Sequence, residues 1–151
     1  MKPYLYIFLS LLTFSGLSAQ EATKAHKDSL NAVVDDYYRL NLDVFQPNST
    51  PEQIDQIFAL FTEDFTYEHP KYGGTYSRED LYNGYKRNQA SGSYDGSVMD
   101  ILKFNRIAGL NAVTVLRGYV RKTETGIEQG EKQMTLFEFK NGKISRIFEY
   151  W

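Results

Sequence analysis

Between Ala22 and about Asp43 the apolar residues Leu30, Val33, Val34, Tyr37 and Tyr38 recur at the i, i+3, i+4, i+7, i+8 spacing of a helix with one buried face. A connector, Gln46-Pro47-Asn48-Ser49, follows. Thr50 before Pro51, with Gln53 three residues past the cap, then predicts the start of a second helix, whose stripe is Ile54, Ile57, Phe58 and Phe61 and which ends at Phe61. The strand-formers Phe65 and Tyr67 come next, in a strand ended by Pro70 and the Gly73-Gly74 turn. That turn leads into a third helix, capped by Ser77 and Asp80, in which Leu81, Tyr82 and Tyr85 share a face. After Ser91-Gly92-Ser93 the period changes to two. Four strands are predicted, about 97–107, 111–122, 131–140 and 143–151, pairing in sequence order as an antiparallel meander. Asn141-Gly142 between the last two is the signature of a tight type I′ hairpin. Helices first and a meander afterwards make an α+β domain, with the helices packed on one face of a curved sheet.

The N-terminal residues read differently. Lys2 followed by the apolar run Tyr4 to Phe14 and the small residues around Gly16-Leu17-Ser18-Ala19 has the form of a secretory signal, residues 1–19, cleaved after Ala19 or alternatively after Ser18. The run is short for a bilayer span, so a secreted or periplasmic protein with no membrane attachment after cleavage is the expectation. The remainder, 20–151, has the size of one domain able to bury its own core. It must do so by packing alone, because the chain has no cysteine for a disulfide or a lipid anchor.

Charge narrows the partners. Without Lys2 the balance is sixteen basic against nineteen acidic residues, and no basic stripe is present to displace counterions from a nucleic acid. No P-loop or dinucleotide glycine pattern implies a cofactor, and with two histidines, no cysteine and no HxxxH spacing no metal site is expected.

Three stretches together carry a resemblance: VVDDYY on the first helix, IFALFTEDFTYEHPKYGGTYSREDLYNGY through the middle, and MTLFEFKNGKISRIFEYW at the end. The chain resembles the nuclear transport factor 2-like superfamily, which includes ketosteroid isomerase, scytalone dehydratase and SnoaL-like polyketide cyclases. The resemblance implies a cone-shaped curved sheet with three helices on its concave face, a pocket inside it, and homodimerisation. Laid over the ketosteroid isomerase pattern, Tyr37 falls at the helix tyrosine that polarises a carbonyl. His69 replaces the carboxylate base before the proline, and Thr135 replaces the strand acid. Only one of three positions matches, so steroid isomerisation is not expected.

His69, one of two histidines, is the group best suited to titrate near neutral pH. As general acid or base it needs a partner that fixes its tautomer. Two candidates exist. Glu149 shares a strand face with Ser145, Ile147 and Trp151; the resemblance turns that face inward, but burial of Ile144, Arg146, Phe148 and Tyr150 instead would leave it exposed. Asp64 is placed in a solvated turn after the second helix. The competing reading makes His69 structural, bonded to a carbonyl at the rim of the cone, and His26 a solvated helix residue.

Six of the ten tyrosines after residue 20 lie between Tyr67 and Tyr94. Such rings suit a pocket for a small hydrophobic or aromatic molecule. Tyr37, Tyr67, Tyr82 and Tyr85 are expected in its wall, and Tyr72, Tyr76 and Tyr94 on exposed loops. The expected ligand-binding set is Tyr37, Phe58, Tyr67, His69, Tyr85, Thr135, Phe137 and Trp151, with His69, Tyr37 and Glu149 as catalytic candidates. Met134 and Leu136 alternate with Thr135 and Phe137, giving the sheet a second usable face on which two copies could pair. Three functions fit: a binding module without chemistry, an isomerase, dehydratase or cyclase using His69, and a dimerising domain without a ligand.

Overall fold

The computed structural model describes residues 22–151; the expected signal and its cleavage site lie outside them. Helix α1 spans Lys24–Val44, α2 Pro51–Ala59 and α3 Arg78–Ala90. The strands are β1 Phe61–His69, β2 Gly74–Ser77, β3 Val98–Ala108, β4 Ala112–Thr123, β5 Gly126–Gln129, β6 Gln133–Lys140 and β7 Lys143–Tyr150. A single sheet runs β2-β1-β7-β6-β4-β3, with β5 added to β4. The helices cover one of its faces, so the architecture is α+β with a curved, unclosed, mostly antiparallel sheet.

The local signals act as their chemistry dictates. The Thr50 amide donates to Gln53 Oε1 at 2.7 Å, and the Ser77 amide to Asp80 Oδ2 at 3.0 Å, so both helices begin on side chains that take up otherwise unpaired backbone donors. Asn141 and Gly142 have φ of 53° and 76°, the pair of positive angles a type I′ turn requires.

Four expectations are corrected. Phe61 does not end α2 but starts β1, because Leu60 turns the chain and the Leu60 carbonyl accepts from the Ile144 amide at 2.9 Å. Between the Gly-Gly turn and α3 the chain forms β2, a short edge strand paired with β1. Strand β5 is a second short addition, fully exposed and therefore without a hydrophobic period to announce it. The sheet is also not wholly antiparallel: β7 lies parallel to β1, with Tyr67 opposite Ile147. That pairing joins the first and last strands, which the α3 and meander crossover makes possible.

The core sits between the helices and the inner sheet face. Leu30, Val34 and Tyr38 of α1 and Ile54, Ile57 and Phe58 of α2 pack against Phe61, Phe65, Val113, Val115, Phe137 and Ile147. Register shifts in the β1/β7 and β6/β7 pairs change the phase of the pleat. Ile144 and Ile147, three residues apart, are therefore both buried, and from Ile147 onward the alternation carries Glu149 inward.

Candidate functional site

The concave face leaves a cavity of about 430 Å³ unfilled. Its wall takes Tyr37 and Asn41 from α1, Tyr67 and His69 from β1, Gly84, Tyr85 and Arg87 from α3, Arg117, Tyr119 and Arg121 from β4, and Glu149 and Trp151 from the end of the chain. Alternation explains the strand contributions. Phe65, Tyr67 and His69 share the inner face of β1, and Val113, Val115, Arg117, Tyr119 and Arg121 that of β4.

At the base lies a buried polar cluster. Arg117 is 2% exposed and Glu149 4%. The Arg117 guanidinium donates to both Glu149 oxygens at 3.3 and 3.2 Å, to Gln133 Oε1 at 2.6 Å and to the Thr135 hydroxyl at 3.3 Å. Thr135 in turn donates to Glu149 Oε2 at 2.7 Å, and the Trp151 indole N–H to the same oxygen at 2.8 Å. Three adjacent strands place these groups together, since Arg117 pairs with Gln133 and Thr135 with Glu149 across the sheet. A buried charge without such partners would be too costly to keep. Arg117 also lies 4.5 Å from the Tyr119 ring centroid and 5.7 Å from that of Trp151.

His69 lies beside this cluster, 2% exposed, its ring 4.3 Å from Tyr72 and 4.4 Å from Trp151 by centroids. Neither ring nitrogen has a hydrogen-bond partner among the described residues. Burial lowers its pKa from the usual 6.5, opposed by the Glu149 carboxylate and reinforced by Lys71 and Arg117, so near neutral pH the ring is neutral, with one donor and one acceptor to offer. Burial also raises the phenols of Tyr37, Tyr67 and Tyr85, which remain protonated donors. The Tyr85 hydroxyl is committed to Asn41 Oδ1 at 2.5 Å, and Asn41 Nδ2 to the Tyr37 carbonyl at 2.7 Å.

Of the residues expected here, Tyr37, Tyr67, His69, Tyr85, Glu149 and Trp151 come together around one cavity. Phe58, Thr135 and Phe137 do not reach its surface. Phe58 and Phe137 are core, and Thr135 acts behind the wall by holding Glu149. The expected pairing of His69 with Glu149 is replaced by that of Glu149 with Arg117, because a permanent cation on the next strand but one outcompetes a neutral imidazole for the carboxylate. Nor does His69 bond a rim carbonyl. Asp64 sits on exposed β1 backbone, paired with Lys140 at 2.7 Å, rather than in a turn. His26 is not merely solvated: its Nε2 meets the Leu110 carbonyl at 2.5 Å.

The tyrosines are also redistributed. Tyr82 turns away from the cavity and donates to Asp55 at 2.7 Å. Tyr72, Tyr76 and Tyr94 border the cavity instead of decorating free loops, since the turn after His69 folds Tyr72 over the imidazole and Tyr94 packs on Phe45 and Tyr85. Sequence reasoning missed Arg117. Its signal was available as an arginine in phase with the buried Val113 and Val115.

No family model and no curated protein sequence matches the chain. Solved structures do. A ketosteroid isomerase-like protein from Catenulispora acidiphila, solved in complex with trimethylamine, superposes with a TM-score of 0.55 at 16% identity, covering 79% of this chain and 84% of that one. An NTF2-like protein of unknown function from Cytophaga hutchinsonii gives 0.56 at 9% identity over 82% and 96%. A putative polyketide cyclase from Xanthomonas campestris gives 0.51 at 14% over 83% and 91%. The chain thus has the nuclear transport factor 2-like, ketosteroid isomerase-like fold.

Proposed function

We propose that this chain is an exported small-molecule-binding domain whose ligand is a small hydrophobic or aromatic molecule with polar groups at its edge. One observation carries the reading: the buried His69 imidazole has two unpartnered nitrogens in a tyrosine-lined cavity large enough for such a ligand. An unsatisfied buried polar group costs about 1–3 kcal/mol, a cost that a bound ligand would remove. Gly84 supports it. A glycine inside a helix costs about 0.5–1 kcal/mol relative to alanine, and a Cβ there would meet only Arg87 Nη2 at 3.8 Å, so the bare position is explained by the space it leaves. Native mass spectrometry of the protein recovered from the cells that make it tests the reading, with a released small molecule as the supporting result and ligand-free protein as the opposing one.

A second reading, proton transfer of the isomerase, dehydratase or cyclase kind, is favoured by the neutral state of the His69 imidazole, which suits a base. Tyr37 would donate to the substrate, and Glu149, held by Arg117, would supply a fixed negative charge. Binding without chemistry ranks first because Glu149 is already fully engaged by Arg117, Thr135 and Trp151 and no group among the described residues hydrogen-bonds the imidazole to orient it.

Export is supported by the Tyr4 to Phe14 run and the small residues that follow it, and N-terminal sequencing of exported protein should begin at Gln20 or Ala19. Homodimerisation through the outer sheet face is supported by two apolar rows. Leu116, Met134 and Tyr150 lie side by side across β4, β6 and β7, and Leu136 and Phe148 neighbour them.

A further inference from the structure

Positive charge around the cavity is not balanced. Arg87, Arg117 and Arg121 line it against two carboxylates, Asp80 and Glu149. Glu149 is consumed by Arg117, and Asp80 accepts from the Ser77 amide and hydroxyl at 3.0 and 2.7 Å to cap α3. Elsewhere the arginines are provided for: Arg39, Arg106 and Arg146 pair with carboxylates, and Arg78 donates to the Phe58 carbonyl. Arg87 and Arg121 alone among the arginines have no acceptor from the described residues, and both border the cavity.

Their positions are constrained. Arg121 follows Arg117 and Tyr119 along the same face of β4, and its guanidinium lies 5.1 Å from the Tyr119 ring centroid, which directs it over the cavity wall. Arg87 folds back along α3, placing Nη2 beside the bare Gly84. His69, whose ring nitrogens have no partner among the described residues, lines the same cavity and can accept or donate one further hydrogen bond.

We propose that the ligand is an aromatic carboxylate, its carboxyl group held by Arg87 and Arg121 and its ring system lying among the tyrosines toward His69. This rests on the binding reading above and adds the ligand's charge. Guanidinium forks match a planar carboxylate, and a hydrogen bond to a charged group contributes about 1.5–3 kcal/mol. Ring faces alone would also accept an organic cation, but two guanidiniums without a hydrogen-bonded acceptor among the described residues repel one; the nearby carboxylates, Asp80 and Asp95, already accept from Ser77 and Ser97.

The test uses three probes of one shape on the intact protein: 2-naphthoate, 2-naphthamide and (2-naphthyl)trimethylammonium, titrated by calorimetry at low and high salt. Naphthoate should bind about ten- to a hundredfold more tightly than the amide. That preference should shrink with salt. It should also vanish in the Arg87→Gln, Arg121→Gln double variant while amide binding stays. Equal binding of acid and amide, or preference for the cation, overturns the carboxylate assignment and leaves the binding site standing. If none of the three binds to folded protein, the binding reading falls and the carboxylate assignment falls with it.

Discussion

Arg117 and Glu149 form the one ion pair, among the described residues, in which both side chains are buried. The pair lies at the base of the cavity and is framed by Gln133, Thr135 and Trp151. Low dielectric makes the attraction strong and the loss of either partner expensive.

Replacing Arg117 by Leu should therefore destabilise the fold by about 3–5 kcal/mol, since it strands a buried carboxylate. Arg117→Leu combined with Glu149→Leu should cost less than the sum of the two single changes. Urea unfolding of the four proteins measures this coupling. A cost below about 1 kcal/mol for Arg117→Leu, the level of surface pairs, would mean that the pair is hydrated.

His69 gives the fold a pH dependence. Its folded pKa is lowered by burial, so above the unfolded value near 6.5 both states are neutral and the group has no effect. As pH falls below 6.5 the unfolded chain takes up the proton first, and stability declines until the folded pKa is reached. Thermal unfolding between pH 7.5 and 5 should show this decline in the wild type and a flatter profile in His69→Phe. An unchanged slope would place the imidazole in water.

Core and cavity wall should respond differently. Phe137 is fully buried and packs edge-on against Tyr37 and Tyr38, with centroids at 5.3 and 5.7 Å. Phe137→Ala should cost about 3–5 kcal/mol. Tyr67→Phe keeps the ring in the wall and should cost far less. Chemical denaturation of both variants checks the order, and a reversal would mean that Phe137 borders open space.

Much of this organisation was legible locally. The Asn141-Gly142 hairpin, both capped helices and the inward face of Tyr67 and His69 follow from turn chemistry, capping and a period of two. What escaped was non-local. The parallel pairing of β1 with β7 joins residues some eighty positions apart, and no local pattern encodes it. Strand β2, four residues long, is too short to establish a period, and β5 is both short and fully exposed. For the site, the cavity tyrosines on the turn near His69 looked like loop residues because loop identity says nothing of what a loop folds over. Arg117 was passed over because a charge on an inward strand position reads as an exception until its partner on β7 is known.

The outer face of the meander makes a separate prediction. Leu136→Lys places a charge amid Thr114, Met134 and Phe148. Light scattering should report dimers for the wild type and monomers for the variant. An identical mass for both would exclude that surface.

The most direct measurement concerns Gly84. Its Cβ would enter open cavity with only Arg87 Nη2 nearby, so Gly84→Leu should fill the binding space while improving the helix. Calorimetric titration of 2-naphthoate into wild type and Gly84→Leu, with melting temperatures recorded on the same samples, compares occupancy and fold together. One site per chain in the wild type, lost in a variant that melts no lower, is the predicted result; undiminished binding by Gly84→Leu would contradict the cavity as the ligand site.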